Sequence, residues 1–369
     1  MNIDFANLQL QYQKYKVDID ASIQSVLNKS NYIMGDEVNE LEEALKEFTL
    51  AEHVIACSSG TDALLMAMMA LDIEPGDEII TTPFTFVATA ETITLMKAKP
   101  VFVDIEYDTF NIDASKIESA ITSKTKAIMP VSLYGQPADM KAIQLIAQKH
   151  NIKIIIDGAQ SFGATFNDKK DSCLGDISTT SFFPAKPLGC YGDGGAVFTN
   201  NSDYANKIRM IRVHGQTKRY SHKIIGIGGR LDTIQAAVLI VKLSHYKDEI
   251  NQRNDVAEAY FKSLEGLIKK PMIKSNRTSV WAQYTLRFNE RDLIQSHLKK
   301  IGIPTAIHYP LPLHLQECFS YLEGKKGDFP VSELAANEVL SLPMNPFLTK
   351  NEIKYISENV NKVFNEIAL

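Results

Sequence analysis

The 369-residue chain has little of what marks the simplest functional classes. Its four cysteines, Cys57, Cys173, Cys190 and Cys318, form no C-x-x-C pair. That argues against a thiolate zinc site or a disulfide framework and makes a reducing cytoplasm the expected compartment. Basic charge is not in excess, since 39 Lys and Arg face 44 Asp and Glu for a net −5. This weighs against nucleic acid as the main partner, because neutralising phosphates needs clustered cations. The longest apolar run, residues 63–71, is far short of a membrane span, and the N-terminus has no apolar signal core, so no membrane is expected. With 19 Gly and 14 Pro, collagen-like and low-complexity classes are excluded. No P-loop and no H-E-x-x-H occurs, no metal is called for, and Gly226-x-Gly228 is followed by Leu231 where a dinucleotide-binding loop needs its third glycine.

What is present is a 45% hydrophobic chain whose length suggests about two domains. From residue 41 to about 201, β-branched runs alternate with helical patterns, the signature of a mostly parallel sheet sandwiched by helices. The spacing predicts strands over 53–57, 78–81, 100–104, 126–131, 152–157, 177–183 and 195–199, with helices over 61–71, 86–97, 114–122 and 137–150. A long amphipathic helix is expected over 230–254, leading into a smaller α+β domain whose last helix starts near Lys350. The division read from the sequence is a large α/β domain over 1–250 and a small domain over 251–369. A helical arm over 1–35 would pack on the small domain or on a neighbouring subunit.

Ligands of open parallel sheets bind beyond the carboxyl ends of the strands, so the residues that follow each strand carry most information. Behind 53–57 come Ser58, Ser59, Gly60, Thr61 and Asp62, small polar groups that open a helix. They are either an anion site or an ordinary N-cap. Behind 78–81 come Phe84 and Phe86, aromatics that are core residues when taken singly. Asp157 ends a wholly apolar strand, where a carboxylate is costly to bury without a cation, with Gly158, Ala159 and Gln160 behind it. Capping of the next turn is the plain alternative. Behind 177–183, Lys186 sits among Pro184, Pro187, Gly189, Gly192, Gly194 and Gly195, a segment too constrained for helix or strand. A lysine in such a loop suits condensation with a carbonyl. An anion site, an aromatic, a buried carboxylate and an amine on one rim form the set that pyridoxal 5′-phosphate needs.

The segments YIMGDEVNELEEAL, SSGTDALLMA, TPFTFVATAE, DGAQSFGA, SFFPAKPLGCYGDGGA, RYSHKIIGIGGRLDTIQAAVL and GIPTAIHYPLPLH resemble the DegT/DnrJ-type nucleotide-sugar aminotransferases of the aspartate aminotransferase superfamily, along nearly the whole chain. The resemblance implies the fold type I architecture of pyridoxal-phosphate enzymes. It makes Lys186 the Schiff-base lysine and proton carrier, Asp157 the partner of the pyridine nitrogen, and Gln160 the neighbour of the ring hydroxyl. Phe86 would stack on the ring, while Ser181 and the backbone around Gly60, Thr61 and Asp62 would hold the phosphate. It also implies a homodimer with a site completed across the interface, and L-glutamate as amino donor.

Two positions differ from most of the family, which has Asn where this chain has Pro187 and Asn where it has Gly228. Both variants resemble the branch that aminates UDP-2-acetamido-2-deoxy-3-oxo-glucuronate for surface polysaccharide synthesis. There Arg230, His308, Tyr309 and Tyr32 would meet the sugar. A guanidinium suits a uronate carboxylate or a pyrophosphate on chemical grounds as well, although a salt bridge from Arg230 to Asp232 is the plain alternative, and His308 could be a core histidine. A dehydratase of the same family would have histidine in place of Lys186. A non-enzymatic sensor on this fold would be expected to lose that lysine first. An aminotransferase for another UDP- or dTDP-linked 3-keto or 4-keto sugar is the main competing reading.

Overall fold

β-branched runs pair into sheets where helices can cover both faces, and here seven do so. The computed structural model describes residues 3–266 and 268–368. Helices α1 (Leu8–Lys29) and α2 (Asp36–Thr49) lead into strands β1 (His53–Cys57), β2 (Glu78–Thr81), β3 (Lys99–Phe102), β4 (Thr125–Ile128), β5 (Lys153–Asp157), β6 (Ile177–Ser181) and β7 (Gly195–Thr199), which form one sheet in the order β1-β7-β6-β5-β4-β2-β3. The crossovers between its first five strands carry α3 (Gly60–Ala70), α4 (Ala88–Leu95), α5 (Ala114–Ile117) and α6 (Met140–His150).

Strands β2 to β6 run parallel, whereas β7 is antiparallel to both β6 and β1. No helix lies between β6 and β7, only the loop that contains Lys186, and a parallel return needs a helical crossover. Successive residues face opposite sides. Ile55 and Cys57 of β1 pack with α3, while Val54 and Ala56 pack toward Val38 and Leu41 of α2.

The remaining chain runs through α7 (Ser202–Ile211) and the 31-residue α8 (Thr233–Ser263). It continues through β8 (Tyr284–Arg287), α9 (Arg291–Lys300), α10 (Pro330–Glu338), β9 (Val339–Leu342) and α11 (Lys350–Ala368). β8 and β9 pair antiparallel, and their core gathers Tyr260, Tyr284, Leu286, Leu340, Leu342, Ile356 and Val360.

Several boundaries differ from the sequence-based expectation. β4 closes at Ile128 rather than residue 131, with Val131 left as an isolated bridge to Asp157. β6 closes at Ser181 rather than 183, and α4 begins at Ala88 rather than 86, because residues 82–87 form the turn that leaves β2. The helix expected over 114–122 is a four-residue α-helix followed by a 3-10 turn over Glu118–Ala120. α8 starts three residues late, since Asp232 is extended and bridges Ile33, and ends nine residues late. Its second half buries Val256, Ala257 and Tyr260 in the β8–β9 core, so one helix serves two cores. The arm packs on its own chain. Tyr15 and Ile19 meet Val238 of α8, and Ile3 enters the β8–β9 core. Among the described residues no helix is long and apolar enough to cross a membrane.

Tyr260 is fully buried 5.0 Å from the Tyr284 ring, and its hydroxyl donates to the buried Pro343 carbonyl at 2.9 Å. Tyr260→Phe keeps the ring and strands that carbonyl. Urea unfolding followed by circular dichroism should show a loss of about 1–3 kcal/mol with an unchanged m-value.

Candidate active site

Three strand ends approach one another too closely for side chains. A Cβ on Gly195, the first residue of β7, would lie 2.5 Å from the Ser59 carbonyl, and one on Gly60 would lie 2.7 Å from Cβ of Ser181 at the end of β6. Glycine at both positions therefore lets β6 and β7 close onto the start of α3. Ser59 caps α3 by accepting from the Asp62 amide at 3.0 Å, and the Asp62 carboxylate accepts from the hydroxyls of Ser58 and Ser59. The Asp62 amide is thus already used, whereas the amides of Gly60 and Thr61 have no acceptor among the described residues. With the Ser181 hydroxyl beside Gly60, these donors and the positive end of α3 form a cradle of phosphate size and sign.

On the neighbouring strand, Asp157 is 5% exposed. Its carboxylate accepts from Thr89 Oγ1 at 2.7 Å and from the Ala159 amide at 3.2 Å. Burial raises its pKa above the usual carboxylate range, while these two hydrogen bonds and the charge of Lys186 pull it back. Lys186 is set in the β6–β7 loop by its amide, which donates to the Phe183 carbonyl at 2.8 Å. Its ammonium has no hydrogen bond or ion pair among the described residues, and burial lowers its pKa against the pull of Asp157.

His308 and Tyr309 come to the same rim from the segment between α9 and α10. Gln160 Nε2 donates to the Tyr309 hydroxyl at 3.2 Å, and Gln160 Oε1 accepts from the Tyr134 amide at 2.8 Å. The Tyr134 hydroxyl donates to the His308 carbonyl. Burial, with the Lys186 charge second, pushes His308 down to about 4, so its ring is neutral at pH 7, with Nδ1 3.2 Å from Ser341 Oγ. Burial and the nearby Asp157 charge raise the Tyr309 phenol. The two phenylalanines behind β2 have separate fates. Phe84 is fully buried, whereas Phe86 is 53% exposed on the rim, 6.2 Å from the Tyr309 ring.

The turn that carries Arg230 reaches the rim from another side. Ser58 donates from its amide to the Gly229 carbonyl at 3.1 Å, which brings the 226–230 turn to the start of α3. Arg230 makes no ion pair with Asp232 or with any other described residue. The Tyr32 carbonyl accepts from the Thr233 amide at 2.9 Å, close to Arg230 in the chain, but no hydrogen bond joins either residue to Lys186, Asp157 or His308. Gly228 packs on the His214 ring, which a Cβ would meet at 3.2 Å.

Sequence reading missed Thr89 and Tyr134. Thr89 had one available signal, its helical spacing of four from Thr85, whose hydroxyl lies 3.0 Å away. Tyr134 had none, because its contacts depend on a segment 174 residues away.

A phosphate cradle, a half-exposed aromatic, a buried carboxylate and an unpaired amine therefore converge, and these residues fit pyridoxal phosphate. The DegT/DnrJ/EryC1/StrS aminotransferase family model matches residues 13–361. The chain belongs to that family. It is 50% identical to the UDP-2-acetamido-2-deoxy-3-oxo-D-glucuronate aminotransferase of Pseudomonas aeruginosa over 96% of this chain and 98% of the relative. It is 45% identical to the pleiotropic regulatory protein of Geobacillus stearothermophilus over the full length of both. The crystal structure of NtdA from Bacillus subtilis with bound cofactor PMP superposes with a TM-score of 0.92 at 29% identity, covering 99% of this chain and 85% of that one. As a member of this aminotransferase family the chain has the fold type I architecture and uses pyridoxal 5′-phosphate.

The lowered pKa of Lys186 has a readable sign, because a lowered amine is neutral, and so nucleophilic, at lower pH than ordinary lysines. In cofactor-free protein treated with a small acetylating reagent across a pH series, peptide mass spectrometry should show Lys186 modified at lower pH than Lys262 or Lys354. Modification of all three at the same pH would remove the basis for an activated amine.

Proposed function

We propose that this protein transfers an amino group from L-glutamate to a UDP-linked 3-keto uronic acid, most closely UDP-2-acetamido-2-deoxy-3-oxo-glucuronate, in the supply of amino sugars for surface polysaccharide. The observation that carries this reading is the convergence of Lys186 and Asp157 on adjacent strand ends, the carboxylate buried and the lysine partly buried, each shifting the other's pKa yet not ion-paired with it. The half-identical Pseudomonas relative supports the choice of sugar.

When bound, the cofactor supplies the aldehyde carbon that carries the amino group and a ring that spreads negative charge. The amides of Gly60 and Thr61 and the Ser181 hydroxyl would hold its phosphate, and Phe86 would cover its ring. Asp157 would keep a proton on the pyridine nitrogen, a role that its burial and its Thr89 hydrogen bond favour by removing water and fixing the carboxylate. Gln160, held by the Tyr134 amide, would lie beside the ring hydroxyl. Lys186 would hold the cofactor at rest, and its amine, when free, would act as the base that takes the proton from the amino carbon of the donor and as the acid that supplies one when the keto sugar is aminated.

Neutral His308, with Tyr309 beside it, bounds the sugar side without adding charge. Arg230, with no carboxylate paired to it among the described residues, would take the uronate carboxylate or the pyrophosphate, and Tyr32, whose carbonyl accepts from the Thr233 amide, would meet the sugar from the same side. An apposed second copy is supported by the exposed Tyr220 (82%) and Ile225 (86%) just before the 226–230 turn. Division of labour between residues 1–250, which hold the cofactor, and 251–369, which close the sugar site, completes the proposal. A regulatory role without turnover, the reading that the Geobacillus relative's name favours, predicts cofactor binding with no product from any keto sugar.

Incubation of the holoenzyme with glutamate and a panel of UDP- and dTDP-linked keto sugars, read by mass spectrometry and NMR, should give the 3-amino uronate as the best product. Lys186→Ala should lower the rate by about 10³-fold or more. Retained transfer in that variant overturns the assignment of the amine. In the same assay Arg230→Met should raise KM for the uronate about 10- to 100-fold, with a smaller effect on a sugar lacking the carboxylate.

A further inference from the structure

Lys242 of α8 is 2% exposed, although no carboxylate among the described residues lies within ion-pairing distance of it. Its ammonium donates to the Gly189 carbonyl at 2.7 Å and lies 4.4 Å from the centroid of the Tyr191 ring. Both acceptors belong to the loop that carries Lys186. Two turns earlier on the same helix, Gln235 Oε1 accepts from the Tyr191 amide at 2.8 Å, so α8 grips the loop at two points. The loop has no slack where it is gripped, because a Cβ on Gly189 would lie 2.5 Å from the Pro184 carbonyl oxygen. Seven residues on, Glu249 is also buried and accepts from Gln11 Nε2 at 3.0 Å, which fixes α1 to the same face of α8.

Burying a lysine is unfavourable, and the fold accepts this at a side chain that touches neither Asp157 nor the phosphate cradle. We propose that Lys242 is a positioning residue, which holds Gly189 and with it the 183–192 loop so that the Lys186 amine stays at the buried end of the site. The inference rests on the reading of Lys186 as the reacting amine. A loop released at Gly189 lets Lys186 swing toward solvent, where its amine is more often protonated and is misplaced by about an ångström, an error that can cost about 10²-fold in rate.

The test is Lys242→Met, with Lys242→Gln, too short to reach Gly189, read in its place should the Met variant not fold. Tyr246→Phe serves as the control. Tyr246 is a buried α8 side chain whose hydroxyl donates to the Phe162 carbonyl at 2.6 Å, outside the loop. In cofactor-free protein, the pH at which Lys186 is half acetylated should rise by about one unit in the Lys242 variant and stay in place in the control. In the holoenzyme, kcat should fall about 10- to 100-fold while KM for the amino donor changes little. A Lys242 variant that loses thermal stability like the control but leaves the Lys186 acetylation midpoint and kcat unmoved overturns the proposal. The acetylation midpoint reports the loop whether or not Lys186 is the reacting amine, so failure of that reading, seen as activity surviving Lys186→Ala, is separable from failure of this one.

Discussion

A carboxylate and an amine of opposite charge, desolvated on neighbouring strand ends and yet not joined, are the constraint around which this molecule is organised. Each is shifted toward its neutral form by burial, and each is partly recovered by the field of the other. Had they met in an ion pair, they would have satisfied one another and left nothing for a ligand to bind. Their separation suits a flat molecule with a basic nitrogen at one end and an aldehyde at the other. The fold holds the two groups apart through the rigidity of β5 and the fixed loop behind β6.

Everything around that gap restricts movement. Gly60 and Gly195 let three strand ends close onto α3, and Thr89 and the Ala159 amide orient Asp157. Gln160 and Tyr134 fasten the 308–309 segment from two directions, so residues far apart in sequence share one wall. α8 links these parts. It packs on α1 and α2, grips the Lys186 loop, and buries its far end in the core of β8 and β9.

Much of this was legible in the sequence because the large sheet is built from local patterns. The runs at 53–57, 78–81 and 195–199 became strands with those bounds, since β-branched stretches flanked by polar turns admit few alternatives. The antiparallel direction of β7 follows from the missing helix before it. Less legible was anything set by distant packing. The last nine residues of α8 fell outside the expected helix because their apolar positions face a second core, and the arm's partner could not be read from the arm. Lys186 and Asp157 stood out through their unusual local settings. The supports Thr89, Tyr134 and Lys242 look ordinary in sequence and gain meaning only from contacts 68, 174 and 53 residues away.

The central claim is that the amine that takes the cofactor is Lys186. The most direct measurement is to load the purified protein with pyridoxal phosphate, reduce it with borohydride, digest it and locate the added mass by peptide sequencing. Modification at Lys186 alone is the predicted result. Modification at Lys242 or another lysine, or a protein that binds the cofactor with no reducible bond, would contradict the account.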